Sequence, residues 1–252
     1  MNLKAVVKYQ LNDILKALCI YYVSFIVPFI FLSLTFIRIA DSSVGIVDST
    51  VGGMDGVSMI FIFIAGLNSF KKKFEFFQAN SITRTEQHFG FIITVWFIAV
   101  GMALVDNIFA FVFSNFMTYH SAYYQFFGHA NSSVTEGTFD LSFYFASFIW
   151  AVFAYAMFFT IGYFITLLYY KMNKVWKITV SVGVPTLLYG LSMIDNWVNG
   201  AKYSYWLNDI VGKALGVAQN SHNSYMSVLT TGLVTLAFML INQLMIRKTV
   251  LK

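Results

Sequence analysis

Apolar residues are grouped along the chain into six long runs, which short polar stretches separate. The runs cover residues 17–39, 54–70, 89–116, 141–170, 175–193 and 224–246. An α-helix needs about 20 apolar residues to cross a bilayer, because each residue adds about 1.5 Å to its length. The pattern therefore predicts an all-α integral membrane protein, with six transmembrane helices in a single domain over residues 1–252.

Two other segments have apolar residues at helical spacing but are too polar to span a membrane. Residues 1–16 place lysines between apolar positions, which predicts an amphipathic N-terminal helix in the membrane interface. Between the last two runs, apolar residues recur at helical spacing from Trp206 to Ala218, so we expect this segment to lie on the membrane surface. Pro28 falls inside the first run and predicts a kink there.

The composition agrees with a membrane protein and narrows the chemistry. Hydrophobic residues make up 58% of the chain, charged residues only 11%, and the mean hydropathy is +0.70. A water-soluble fold could not hide this much apolar surface. Cys19 is the one cysteine in the sequence, so the chain can form neither an internal disulfide nor a cysteine metal site.

The basic residues alternate with the predicted spans. With the N-terminus inside the cell, only Arg38, Lys202 and Lys213 of the 16 lysine and arginine residues fall on the outer side. Cytoplasmic loops of membrane proteins carry such an excess of basic residues, so the pattern predicts six spans with both termini inside. This distribution also accounts for the net charge of +5 and argues against a nucleic-acid partner.

The segment between the second and third runs, residues 71–85, is basic and partly amphipathic. Phe70, Phe74 and Phe77 fall at positions i, i+4 and i+7 of a helix, where they form one apolar stripe. Such a stripe needs a surface to lie against. We therefore expect these phenylalanines to contact a partner at the cytoplasmic side.

A turn follows this short helix and leads into the third span. Thr83 and Glu86 have the spacing of a capping box, in which each side chain bonds the other residue's backbone N–H. Asn80 and Ser81 form the break between the two helices, and asparagine is able to take the left-handed conformation of a helix C-terminus.

The sequence contains neither a G-x-x-x-x-G-K-[ST] phosphate loop nor an H-E-x-x-H zinc motif. Any ATP-driven function must therefore borrow a separate ATPase, and we predict no catalytic, cofactor-binding or metal-binding residue in this chain. An ordinary polar outer loop is favoured over the alternative, a metal site assembled from His120, His129, Glu136 and Asp140.

Asp106 is the only acid that we place inside a predicted span, where an ionisable group is costly. Near the outer interface it either bonds to a neighbouring helix or belongs to a translocation path or gate. The fourth run is rich in aromatic residues, which either pack in the membrane or line a path for apolar cargo. Phe148 and Phe153 are the candidates for such a lining.

The stretch from Phe74 to Thr85, FEFFQANSITRT, resembles the permease subunits of ABC-2 type transporters from Gram-positive bacteria. In that family an aromatic-rich helix precedes Asn-Gly-x-Ser-Arg-Lys-Thr and then the third span. This chain departs from the pattern at Ser81, where the family has glycine, at Thr83 in place of serine and at Thr85 in place of lysine. Thr83 keeps the N-cap chemistry of the serine.

The resemblance implies an ABC-2 type exporter architecture in the bacterial plasma membrane. Two permeases, either two copies or two related chains, would bind two cytosolic ATPase subunits that hold ATP and Mg²⁺. The residues that would couple the permease to the ATPase are Phe70, Lys72, Lys73, Phe74, Glu75, Phe77, Asn80, Thr83 and Arg84.

Within this family the chain is similar to the permeases of phenol-soluble modulin exporters, whose cargo is amphipathic helical peptide. The implied cargo is therefore amphipathic or apolar, such as a cytolytic or antimicrobial-type peptide. Two other classes stay open at this point. One is an ATPase-independent carrier or accessory membrane protein, and the other is an intramembrane enzyme.

Overall fold

The computed structural model describes residues 3–42, 50–114, 118–128, 141–199, 202–218 and 221–249. These residues form nine helices and two short pairs of strands. The elements in chain order are α1 (Leu3–Ser42), β1 (Thr50–Gly52), α2 (Met54–Asn68), α3 (Lys71–Ala79), α4 (Arg84–Ser114), β2 (Thr118–His120), α5 (Ala122–Phe127), α6 (Leu141–Lys171), α7 (Lys174–Asn199), α8 (Lys202–Ala214), β3 (Val217–Ala218), β4 (Ser221–His222) and α9 (Ser224–Arg247).

Six helical segments among the described residues are long and apolar enough to cross a membrane. They are Leu3–Pro28, Met54–Ala79, Arg84–Ser114, Leu141–Lys171, Lys174–Asp195 and Ser224–Arg247. The prediction of an almost entirely helical chain, with six helices long and apolar enough to span a membrane, is therefore confirmed. The predicted third run ends at residues 115–116, which lie outside the described part of the chain.

The first helix differs from the expectation of an interfacial helix followed by a separate span. α1 is continuous over 40 residues, with Pro28 inside it and no break near residue 16. A helix of that length extends about 60 Å, twice the thickness of the bilayer's hydrocarbon core. Among the side chains of α1 that the structure describes, the buried ones lie along one face, which packs against α4. They are Val6, Gln10, Ile14, Leu18 and Tyr21.

α6 lies at the centre of the bundle, where it packs against α2, α4 and α9. Its most buried face repeats every four residues through Tyr155, Phe159, Tyr163 and Leu167. Polar contacts supplement this packing toward α9, where the Trp150 Nε1–H donates to Ser227 Oγ at 3.0 Å. Burial against three helices explains why the run is apolar on every side.

α2 and α6 approach each other closely at two glycines. A Cβ atom added at Gly66 would collide with the backbone carbonyl of Phe159, and one added at Gly162 would collide with that of Phe63. The Thr166 hydroxyl also donates to the Leu67 carbonyl at 2.5 Å across the same contact. Small residues of this kind allow helix backbones to meet in a membrane.

α7 is the most exposed of the long helices, and its principal contact is with α8. Asp195 makes this connection, because its carboxylate accepts hydrogen bonds from the Ser204 backbone N–H at 2.8 Å and the Ser204 hydroxyl at 2.7 Å. α8 confirms a helix in this segment, although it ends at Ala214 and Val217–Ala218 form a strand instead.

The two ends of the bundle are built differently. At one end, β1 pairs in parallel with β2, and the short helix α5 follows β2 directly. At the other end, α3 forms the connection between α2 and α4. We refer to these as the α5 end and the α3 end.

Candidate functional site

The predicted phenylalanine stripe forms on α3, but it faces the protein itself. Phe70, Phe74 and Phe77 are all buried. Phe70 makes edge contacts with the rings of Tyr163 and Tyr170 of α6, each at a centroid distance of 5.4 Å. The expectation that this stripe forms an exposed surface for a partner is therefore wrong, because the helix bundle already covers it.

Phe77 completes the stripe on the other side, against α1. Its ring lies edge-on to Tyr9 at 5.6 Å. Lys73 is buried next to the stripe, and its Nζ pairs with Asp13 Oδ2 of α1 at 3.1 Å. α3 is thus fastened to both α1 and α6.

The opposite face of α3 is open to the surroundings. Lys71, Lys72 and Phe76 are exposed, and the Phe76 ring stacks on the ring of Tyr9 from α1 with centroids 4.6 Å apart. We call Lys71, Lys72, Phe76 and Tyr9 together the outer α3 face. Of the other predicted coupling residues, Asn80 and Thr83 are exposed, whereas Glu75 and Arg84 are half-buried.

The turn after α3 follows the prediction in one respect and departs from it in another. The capping box is confirmed, since the Glu86 N–H donates to Thr83 Oγ1 at 3.2 Å and the Thr83 N–H donates to Glu86 Oε2 at 3.4 Å. Asn80, however, has a φ of −94°, and the left-handed residue is Ser81 with a φ of +55°. The left-handed residue, Ser81, therefore stands at the position where the ABC-2 permease pattern has glycine.

Arg84 connects the start of α4 to the end of α9. Its Nη1 donates to the Arg247 carbonyl oxygen at 2.6 Å. Lys171, at the end of α6, donates to the Met245 carbonyl at 3.4 Å. Cations near a helix C-terminus stabilise the last carbonyl groups, so both residues hold α9 at the α3 end.

Asp106 lies inside the bundle and connects three helices. Its side chain is only 3% exposed. The Tyr22 hydroxyl of α1 donates to Asp106 Oδ1 at 2.9 Å, and the Tyr155 hydroxyl of α6 donates to Oδ2. The prediction that Asp106 hydrogen-bonds to a neighbouring helix is therefore confirmed, and its role in a translocation path or gate stays a prediction.

A second buried acid, Asp55, accompanies Asp106. It falls at the start of the second apolar run, 54–70, so the statement that Asp106 is the only acid in a span was wrong. Asp55 is the second residue of α2, and its Oδ2 accepts the Ala122 backbone N–H at 2.7 Å. This bond ties α2 to α5. Burial raises the pKa of the nearby Tyr119 phenol, and the carboxylates of Asp55 and Asp106 raise it further.

Both acids line one small cavity toward the α5 end, which we call the acidic cavity. Its volume is about 10 Å³, and its walls are Asp55, Asp106, Asn107, Ala110, Ser121, Ser147, Trp150 and Ala151. The lining residues come from α2, α4 and α6, together with Ser121, which directly precedes α5. The cavity therefore lies where these four helices meet. No basic side chain is among the residues that line it.

The aromatic candidates of α6 lie elsewhere. Phe153 lines an apolar groove of about 380 Å³ together with residues of α9 such as Gly232 and Leu236. Its ring also makes an edge contact with Trp96 of α4 at 5.4 Å. Phe148 is half-buried against the core. Asp106 and Phe153 line two different cavities.

The alternative metal site in the outer loop falls mostly outside the described residues, since these do not include His129, Glu136 and Asp140. His120 is described, and its ring lies 4.7 Å from that of Tyr124. Within the described ranges, no three His, Cys, Asp or Glu side chains come together as a metal site would require.

Comparison with known proteins adds no relative. No family model, curated protein or solved structure matches the chain. The features of the molecule that bear on its function are therefore the geometry of α3, the acidic cavity and the apolar groove.

Proposed function

We propose that this chain is the membrane-spanning permease subunit of an ATP-driven exporter of the ABC-2 type. The observation that carries the proposal is the segment from Phe74 to Thr85. It forms a short helix and a capped turn that lead from α2 into α4. In the proposed exporter this segment lies in the cytoplasm of a bacterial cell, as the distribution of basic residues predicts.

The packing of α3 supports a mechanical role. The buried stripe fixes the helix to α1 and α6, and the turn at Ser81 leads directly into α4. A force applied to α3 would therefore reach three long helices without an intervening flexible loop. This is the property that a coupling helix needs when it receives motion from a separate ATPase.

The outer α3 face is the proposed contact with that ATPase. Phe76 and Tyr9 form a stacked aromatic pair that is partly exposed, and such pairs are typical anchors of an interface. Lys71 and Lys72 beside it would attract an acidic surface and raise the rate of encounter. Of the residues predicted to couple the chain to an ATPase, Lys72 is part of this proposed contact. Phe76 takes the role first given to Phe70, Phe74 and Phe77, which are buried.

Pairing with a second permease and export of an apolar or amphipathic cargo complete the proposal. α7 presents apolar side chains along its length, and Trp197 is 92% exposed. Lipid and a second permease both suit this helix. The apolar groove between α6 and α9 is compatible with a peptide that carries an apolar face.

The test is retention of the ATPase on an affinity-tagged chain, purified from gently solubilised membranes of its host. We expect the wild-type chain to bring an ATPase and a second permease, and the eluate to hydrolyse ATP. Phe76→Asp should abolish this, because a charge replaces the aromatic anchor. Phe126→Asp, at a phenylalanine of similar exposure in α5, should retain it. Recovery of the wild-type chain alone, or normal yield with Phe76→Asp, would contradict the proposal.

An ATPase-independent carrier is a second candidate, and the acidic cavity favours it. Buried acids such as Asp55 and Asp106 commonly mark ion or proton sites in carriers. Reconstitution separates the two functions. A carrier transports its cargo in liposomes that contain this chain alone, whereas the proposed exporter requires the ATPase and ATP.

A further inference from the structure

Among the described residues, two carboxyl groups and no basic side chain line the acidic cavity. Asp55 and Asp106 both line it, and all the other lining residues are neutral. Neither carboxylate has an ion-pair partner among the described residues, whose two salt bridges lie elsewhere. Ionised carboxylates in a low-dielectric interior are costly unless a counter-charge is present.

Hydrogen bonds satisfy the two acids unequally. Both oxygens of Asp106 accept a tyrosine hydroxyl, from Tyr22 and from Tyr155. Asp55 accepts one hydrogen bond at Oδ2, from the Ala122 N–H, while its Oδ1 has no donor in the described part of the chain. Among the described residues, Asp55 Oδ1 is therefore the carboxyl oxygen of this pair that is left without a donor.

Ser147 gives an independent indication of a ligand. Its side chain is 7% exposed and lines the cavity, yet its hydroxyl makes no hydrogen bond within the described ranges. Hydroxyls inside helices usually bond the carbonyl four residues earlier. On the same helix, Thr160 does so, with its Oγ1 2.9 Å from the Ala156 carbonyl. Ser147 makes no such bond to a described residue, and it is one of the residues that line the cavity.

The size of the cavity restricts what it can hold. About 10 Å³ is the space that a single water molecule requires. Magnesium usually retains several waters, for which a cavity of this size has no room. The walls offer only oxygen ligands, which suit a hard cation rather than a thiolate-binding metal.

We propose that the acidic cavity binds one dehydrated monovalent cation of the size of Na⁺. Asp55 and Ser147 supply ligands, and Asp106, held in place by Tyr22 and Tyr155, contributes the second negative charge. A bound cation would fasten α2, α4 and α6 together at the α5 end. The site is a property of the chain itself and does not depend on the exporter assignment.

The test uses the purified chain in detergent, with NaCl exchanged for choline chloride at constant ionic strength. Equilibrium binding of radioactive Na⁺ should give one ion per chain. At a concentration of about 100 Kd, the thermal midpoint should rise by about 5–10 °C. KCl should give a smaller rise, because K⁺ is larger than the cavity allows.

Three variants locate the site. Ser147→Ala removes a ligand without removing a hydrogen bond, so it should fold normally and bind Na⁺ about tenfold more weakly. Asp55→Asn keeps an acceptor for the Ala122 N–H but should lose the Na⁺-dependent rise. Asp209→Asn, at an exposed acid of α8, is the matched control and should bind as the wild type does.

Equal midpoints in NaCl and choline chloride would overturn the proposal. A midpoint that responds to pH but not to Na⁺ would also overturn it, since protons alone would then neutralise the acids. Wild-type affinity in Ser147→Ala would refute the assigned ligand set. Because the test needs neither ATP nor cargo, its failure is distinguishable from failure of the exporter proposal.

Discussion

Ser81 is the one residue other than glycine with a positive φ in the described part of the chain. At +55° its backbone is left-handed, a conformation that costs an L-residue with a Cβ atom roughly 1 kcal/mol. Ser81→Gly should therefore raise the free energy of unfolding by about 1 kcal/mol, or the thermal midpoint by about 2–4 °C. Thermal unfolding of the purified variant in detergent measures this change.

The neighbouring Asn80 provides the control. Its φ of −94° is ordinary, and its Nδ2 donates to the Phe76 carbonyl at 2.8 Å. Asn80→Gly should therefore lower the midpoint, because it removes a hydrogen bond and adds backbone freedom. If the thermal midpoint rose with Asn80→Gly and fell with Ser81→Gly, the left-handed residue would be Asn80 and not Ser81.

At the residue scale, local chemistry could be predicted from the sequence and tertiary partners could not. The capping box of Thr83 and Glu86 depends only on residues three apart, so its spacing was sufficient. The hydrogen bonds of Asp106 join residues 84 and 49 positions apart in sequence, from Tyr22 and Tyr155. No local pattern distinguishes these two tyrosines from their many aromatic neighbours.

At the scale of elements, hydrophobicity predicts the length of a helix but not what covers its apolar face. The stripe of Phe70, Phe74 and Phe77 was correctly placed on one side of α3. The same periodicity suits a partner protein, the membrane or the chain's own bundle. In the structure the bundle covers the stripe, because Phe70 contacts Tyr163 and Tyr170 of α6. These tyrosines are remote in sequence, so the local pattern could not indicate them.

The contact between α2 and α6 leads to a prediction about packing. Because the atom that a Cβ at Gly162 would meet is the backbone carbonyl of Phe63, the two helices must separate to admit a methyl group. Gly162→Ala should lower stability by about 1–3 kcal/mol, as overpacking usually does. The measurement is the fraction of protein that stays folded after heating, monitored by size-exclusion chromatography in detergent.

Gly101 of α4 is the matched control for this substitution. A Cβ atom there meets no heavy atom within 4 Å. Gly101→Ala should therefore leave stability unchanged or raise it by up to about 1 kcal/mol through helix propensity. Equal effects at Gly101 and Gly162 would mean that the close approach of α2 and α6 is not a determinant of stability.

At the scale of the whole molecule, the two ends of the bundle differ in charge as well as in structure. The α3 end carries Lys71, Lys72, Arg247 and Lys248, whereas the buried acids Asp55 and Asp106 lie toward the α5 end. Basic residues are retained on the cytoplasmic side of bacterial membrane proteins. We therefore expect the α3 end to face the cytoplasm and the α5 end to face outward.

Cysteine labelling tests this orientation, since Cys19 is the single native cysteine. In a Cys19→Ser background, Phe126→Cys at the α5 end should react with a membrane-impermeant maleimide in intact cells. Lys72→Cys and Lys248→Cys should react only after permeabilisation, because α3 and the end of α9 share the opposite side. Opposite labelling of Lys72→Cys and Lys248→Cys would require an odd number of crossings between them and would contradict the six-span arrangement. Reversal of all three results would invert the molecule in the membrane, and the outer α3 face could then not meet a cytosolic ATPase.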